Sequence, residues 1–150
     1  MRRRQSARLL IISPRKRVLL FRFVHNDGPL AGDDYWATPG GGWSLMGETF
    51  EAAAIRELRE ETGIRIEMVD APVAEREAPL QLPDGEYVLA VERCFVIHVR
   101  GETLSRDEWT THEVKVMAEY KWWSEDKLFR TADRVWPENI LGMLKSAGCF

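Results

Sequence analysis

Apolar residues crowd into two runs near the start of the chain, Ala7–Ile12 and Val18–Val24, separated by Ser13-Pro14-Arg15-Lys16-Arg17. Two strands joined by a turn, a hairpin, are the expected outcome. His25 to Asp34 is polar and rich in Gly and Pro, so it reads as a loop; Tyr35-Trp36-Ala37 is a short strand running into Pro39-Gly40-Gly41-Gly42, where the chain turns tightly. From Thr49 to Thr62 strong helix formers prevail, including Ala52, Ala53 and Ala54, and Gly63 supplies the stop. Strands are expected at Ile64–Val69, then at Val73–Leu82 and Tyr87–Val99 around the turn Pro83-Asp84-Gly85. Gly101 to His112 is a polar loop before another strand, Val114–Trp123. Ser124 caps a short helix to Leu128, and Pro137 opens a last helix from about Glu138 to Ser146, ended by Gly148. Strands, helix, strands, helix predict an α/β chain: a mixed sheet with helices packed on it.

Composition narrows the classes. The 150 residues are 45% apolar and 30% charged, which suits a single domain over residues 1–150 with a sizeable core. A net charge of -3 gives no general pull toward nucleic acid or anionic membrane, and no stretch approaches the ~20 apolar residues of a membrane span. Arg2, Arg3 and Arg4 resemble the start of an export signal, but Leu9–Ile12 is too short for a signal core. Cys94, in an apolar run, is expected buried and Cys149 exposed; two such thiols are no disulfide framework and point to a reducing, cytoplasmic setting.

The chemistry concentrates in the long helix. Glu57, Glu60 and Glu61 stand at i, i+3 and i+4, neighbours along one side of it. Like charges so placed repel by roughly 0.2–0.5 kcal/mol per pair. A hard divalent cation held by oxygen ligands offsets that repulsion. An arginine-laced, solvated helix face is the bland alternative, and Arg56 and Arg59 are present.

The wider spacing decides against the bland alternative. Gly42, Glu48, Arg56, Glu57, Glu60, Glu61 and Gly63, with apolar Leu58 and Ile64, resemble the Nudix box in full, a coincidence of about one in 10^7 at average residue usage. The lead-in Trp36-Ala37-Thr38-Pro39-Gly40-Gly41-Gly42 is also similar to the approach used in that family. The resemblance implies the Nudix fold, a mixed sheet sandwiched between helices. It implies hydrolysis of a nucleoside diphosphate linked to another group, with Mg2+ or Mn2+. It casts Glu57, Glu60 and Glu61, with the backbone carbonyl near Gly41, as metal ligands, and Glu48 and Arg56 as the pair that completes the catalytic set by fixing the helix against the glycine loop. The general base is Glu57 or a glutamate outside the helix. Glu113, ending a polar loop before a strand, is the first downstream candidate and Glu119 the second.

Substrate choice is carried by other residues. Six tryptophans (Trp36, Trp43, Trp109, Trp122, Trp123 and Trp136) include candidates for a base-stacking platform, although large aromatics mostly fill cores. Trp136-Pro137-Glu138-Asn139 resembles a purine-contacting segment of some family members, and Pro79 falls where ADP-ribose hydrolases of the family tend to carry a proline. The three histidines, His25, His98 and His112, have no metal-ligand spacing, and no nucleophile elbow or P-loop lysine is present. The expected partner is a small nucleotide; a homodimer is compatible with this reading. A Nudix module that binds nucleotides without hydrolysing them is the alternative from another class. RNA 5′-end hydrolysis uses the same kind of site, but no basic stripe supports it.

Overall fold

The computed structural model describes residues 1–42, 44–45 and 47–150. Seven strands form one sheet: β1 (Arg2–Ile12), β2 (Val18–Val24), β3 (Asp34–Ala37), β4 (Ala74–Gln81), β5 (Tyr87–His98), β6 (Met117–Trp123) and β7 (Val135–Trp136). Their order is β4-β5-β1-β2-β3-β7, with β6 on the other edge of β2. Among the described residues four helices accompany them: α1 (Phe50–Thr62), α2 (Thr111–Val116), α3 (Glu125–Arg130) and α4 (Ile140–Ser146).

Residues of β1 alternate between two cores. Ala7, Leu9 and Ile11 join Leu19, Phe21, Phe95 and the α1 residues Ala53, Ala54 and Leu58 on one face. Leu10 and Ile12 join Val18, Leu20, Cys94 and the α4 residues Ile140, Met143 and Leu144 on the other. Burial on both faces explains why these strands read as nearly continuous apolar runs.

The sheet forks beside β1. β2 meets β1 at Val18 and Ile12, then runs alongside β3 from Phe21 to Val24. The chain leaving β3 crosses to β1: Leu9 donates to the Pro39 carbonyl (3.0 Å) and Gly41 donates to the Ala7 carbonyl (2.7 Å). The glycine-rich turn is thereby laid into the fork.

Several expectations shift. β1 starts at Arg2 rather than Ala7, because β5 pairs with it in parallel over its whole length. Ile64–Val69 makes no ladder, although Ile64, Ile66 and Val69 pack onto the core. Residues 114–116 are helical rather than strand, because Thr110 and Glu113 form a capping box: Thr110 N–H donates to Glu113 Oε1 (2.9 Å) and Glu113 N–H to Thr110 Oγ1 (3.1 Å). Val135–Trp136 adds a short strand on β3. Cys149 is buried, not exposed: Gly148 turns back at φ 79° and Cys149 N–H reaches the Leu144 carbonyl. Both thiols are free.

α1 is the scaffold of everything that follows. Thr49 accepts from Ala52 N–H at its start, and Gly63, at φ 78°, closes its end onto the Arg59 carbonyl. Leu58, fully buried, seats it on the sheet. Leu58→Ala is expected to lower unfolding free energy by about 2–5 kcal/mol in urea titration; a loss below ~1 kcal/mol would mean the helix is held by something other than this core.

Candidate active site

The inward stripe of α1 contains charge. Ala53, Ala54, Glu57, Leu58, Glu61 and Thr62 are its buried residues, so two carboxylates continue an apolar face. Glu57 is 6% exposed and Glu61 3%, while the Glu60 side chain is 31% exposed at the rim. Carboxylates taken out of water resist ionisation. Burial lifts Glu57 to about 7; Arg56 opposes the rise, and Glu60, Glu113 and Glu48 add to it. Burial lifts Glu61 well above the ordinary range, reinforced by Glu57 and Glu113 and opposed by the Gly40 amide and Arg8.

The glycine turn meets both carboxylates. Gly40 N–H donates to Glu61 Oε2 at 2.6 Å. A Cβ on Gly42 would lie 2.5 Å from Glu57 Oε1, so any side chain there would displace the Glu57 carboxylate. Arg56 binds three carboxylates: Nε and Nη2 clasp Glu48 at 2.8 and 3.0 Å, and Nη1 reaches Glu60 at 3.0 Å and Glu57 at 3.4 Å. Glu48 also accepts from Leu45 N–H at 2.9 Å, which ties the loop's return to the helix. The Arg56 guanidinium holds Glu48 below the usual carboxylate range. Trp109 donates from its indole to the Glu61 carbonyl at 2.8 Å and braces the end of α1.

The structure thus gathers Glu48, Arg56, Glu57, Glu60, Glu61 and the Gly40–Gly42 backbone. Glu113, on α2, is close enough to raise both buried carboxylates, whereas Glu119 pairs with Arg22 at 3.5 Å. Trp36 and Trp123 pack edge to face in the core, centroids 5.2 Å apart. Trp122 donates to the Glu102 carbonyl, and Trp43 lies outside the described residues. Trp136 is half-buried on β7 beneath the Arg76 guanidinium. Pro79 lies within β4, paired with Leu89, and His98 is exposed at the end of β5. A surface cavity of about 510 Å³ along α4 is lined by Val73, Asn139 and Met143 and by none of the α1 carboxylates; the chemistry marks the site.

Two residues escaped the sequence reading. Arg4 Nη2 donates to the Gly41 carbonyl at 3.1 Å, and Arg8 Nη1 to the Thr38 carbonyl at 3.1 Å. Period-two spacing of Arg2, Arg4 and Arg8 along β1 is the signal that could have found them. Burial and the neighbouring Arg8 lower Arg4 to about 10, while Glu92 and Glu57 sustain its charge.

The donor set suits a hard divalent cation. Among the described residues no three His, Cys, Asp or Glu side chains converge as a metal cage; Arg56 and the Gly40 amide hold the carboxylates instead. When ionised, the buried pair is a concentration of negative charge that an oxygen-bound divalent cation would neutralise, and the Gly42 backbone passes close beside Glu57 Oε1.

A sequence profile of the NUDIX domain matches residues 2–142. The fold agrees. The chain superposes on the solution structure of the E. coli ORF135 protein with a TM-score of 0.66 at 20% identity, covering 99% of this chain and 92% of that one. It superposes on the MutT protein from Methanosarcina mazei Go1 with a TM-score of 0.66 at 22% identity, covering 97% and 92%. It superposes on the NUDIX domain of Shewanella oneidensis NrtR complexed with ADP ribose with a TM-score of 0.68 at 14% identity, covering 98% and 89%. None of the curated proteins matches the chain in sequence. The chain belongs to the Nudix family. Members of that family generally hydrolyse nucleoside diphosphate derivatives and generally use divalent metals.

The raised Glu57 carries a pH signature. Between its ordinary 4.5 and its folded value of about 7, the native chain holds a proton that the unfolded chain has released. Stability from this group is therefore full below the lower value and lost as pH rises through the upper one, by up to ~3 kcal/mol. In metal-free protein, Glu57→Gln is expected to gain stability over the native chain as pH rises from about 5 to about 8. A pH-independent difference in urea midpoints would show that burial does not perturb this carboxylate.

Proposed function

We propose that the chain is a divalent-metal-dependent pyrophosphohydrolase that cleaves the P–O–P bridge of a nucleoside diphosphate linked to another group. The observation that carries this reading is the pair of buried carboxylates, Glu57 and Glu61, pressed against the glycine turn on an otherwise apolar helix face. A helix stripe that buries two carboxylates loses stability unless a cation joins them.

Glu57, Glu60 and Glu61, with the Gly41 carbonyl, would hold Mg2+ or Mn2+. A cation held by these residues would supply charge neutralisation of the diphosphate and a more acidic water. Arg56, locked to Glu48, keeps the ligating helix and the loop in register. Glu57 or Glu113 takes the water's proton; both belong to one electrostatically coupled cluster. Water adds across the bridge, giving a nucleoside monophosphate and a second phosphate-bearing fragment, or pyrophosphate from a triphosphate. Trp136, half-buried on β7, is the residue offered to the planar part of the substrate. The buried, reduced thiols Cys94 and Cys149 fit a cytoplasmic setting.

Replacing Glu60 or Glu61 with Gln is expected to reduce Mg2+-dependent turnover on a panel of dinucleotides, triphosphates and nucleotide sugars by roughly 100-fold or more, with unchanged circular dichroism. Full turnover in either variant overturns the assignment; tight binding without turnover in the native chain makes it a binding module. Independently of turnover, Mg2+ or Mn2+ is expected to raise the melting temperature of the native chain, and to do so less for Glu57→Gln, because a cation bound only by the folded state stabilises it. Equal shifts in the two proteins place the metal elsewhere.

A further inference from the structure

Behind the glycine turn lies a buried ion pair that the proposed chemistry does not use. Arg8 of β1 donates from Nε to Glu92 Oε2 of β5, and the two side chains are only 11% and 3% exposed. Arg76 Nη1 stands 3.9 Å from the other Glu92 oxygen, so the carboxylate is set between two guanidiniums. A buried pair is poor evidence of stability by itself. Desolvating two charges can cost more than their attraction gains, and well-packed apolar residues of similar volume often serve as well. An apolar pair cannot, however, donate hydrogen bonds. What this pair does is shown by where the other guanidinium nitrogens of Arg8 lie.

Both lie against the glycine turn. Arg8 Nη1 donates to the Thr38 carbonyl at 3.1 Å. Thr38 is fully buried at the point where the chain leaves β3, and its own N–H is taken by the Trp136 carbonyl at 3.1 Å. Arg8 therefore satisfies a carbonyl that burial removes from water. At Gly41, φ is 82°, and a Cβ there would lie 2.8 Å from Arg8 Cζ and 2.9 Å from Nη2. The same turn meets the carboxylate helix, where Gly40 N–H donates to Glu61 Oε2 at 2.6 Å. Backbone bonds join Pro39 to Leu9 and Gly41 to Ala7; Arg8 adds the contact at Thr38, and Glu92 holds the guanidinium that makes it.

We infer that Glu92, acting through Arg8, is a positioning residue for the glycine turn: the pair fixes the backbone from Thr38 to Gly41, and with it the Gly41 carbonyl offered to the metal. The inference rests on the proposed metal-dependent hydrolase, in which that carbonyl is a ligand. Neither side chain touches the reacting atoms. Groups that orient a metal ligand change metal affinity or activity by about 10- to 100-fold when they are replaced. The arrangement needs a fork, because Nε serves Glu92 while Nη1 serves Thr38. A lysine ammonium is a point charge on a flexible stem; it keeps an ion pair with Glu92 and loses the fixed second arm.

The test uses the full chain and three readouts: the urea midpoint, Mn2+ affinity by calorimetry, and the exchange rate of the Gly41 amide by NMR. That amide donates to the Ala7 carbonyl at 2.7 Å and reports the seat of the turn. Arg8→Lys is expected to keep a near-native urea midpoint, to bind Mn2+ about 10-fold more weakly, and to exchange the Gly41 amide faster. Glu92→Gln, which still offers Nε an acceptor, is expected to fall between this variant and the native chain. Arg8→Met combined with Glu92→Met leaves neither charge stranded; it is expected to fold and to show the same loss of Mn2+ affinity. Where Arg8→Lys alone does not fold, the double variant decides. Native Mn2+ affinity and native Gly41 exchange in Arg8→Lys, or in the double variant, overturn the inference, because a pair that only stabilises the core is replaced without effect on the turn. A native chain whose Mn2+ binding is indifferent to Glu60→Gln sinks the metal reading instead; Gly41 exchange, which needs no metal, still decides this one.

Discussion

The structure depends on two carboxylates placed where a core wants methyl groups. Glu57 and Glu61 occupy the stripe of α1 that Ala53, Ala54 and Leu58 press onto the sheet. In water these side chains cost nothing; buried, their ionisation is opposed, and the charge of Glu57 adds to the opposition at Glu61. The rest of the site is arranged around that cost. Arg56 brings a cation to Glu57 and Glu60, Gly40 turns an amide toward Glu61, and Gly42 gives up a side chain so that backbone can approach.

Those arrangements require a loop that does not move, and the sheet supplies it. Because β2 leaves β1 after one residue pair, the edge of β1 near Ala7 is open to the chain leaving β3, and backbone bonds from Leu9 and Gly41 hold the turn there. Arg4 and Arg8 then reach from β1 to the Gly41 and Thr38 carbonyls. The same strand that forms the centre of both cores therefore fixes the backbone on which the proposed metal and diphosphate chemistry rests. A defect in sheet packing becomes a defect in geometry at the site, where small displacements carry large costs.

Residues whose roles are local were legible in the chain. The spacing of Glu57, Glu60 and Glu61, the stop at Gly63 and the Glu48–Arg56 pair can be read from helix periodicity and motif alone, and the structure brings them together. What periodicity could not rank was depth: i, i+3 and i+4 share a side of a helix, yet Glu60 is at the rim while Glu57 and Glu61 are inside. Capping chemistry overruled apolar content at Val114–Val116, where Thr110 and Glu113 start a helix. Ile64–Val69 keeps the inward alternation of a strand without a ladder partner, because pairing is decided by what lies alongside. Arg4 and Arg8 share a face of β1 by their period-two spacing, but spacing alone does not name their partners: Gly41 and Thr38 are distant in sequence, and the sheet sets them there.

That division follows from the chemistry. A diphosphate is the same in every nucleotide, so the groups that act on it can sit in one helix and one turn and be recognised together. The remainder of a substrate varies, and the contacts beside the glycine turn join separate strands: Arg8 of β1 to Glu92 of β5, and Thr38 to Trp136 of β7. Their contacts span |i−j| separations such as the 84 residues between Arg8 and Glu92. No short pattern can encode that, and single substitutions on one strand can alter it without touching the helix. The carboxylate half of the candidate site is therefore written in a contiguous segment, and the contacts around it in the order of the strands.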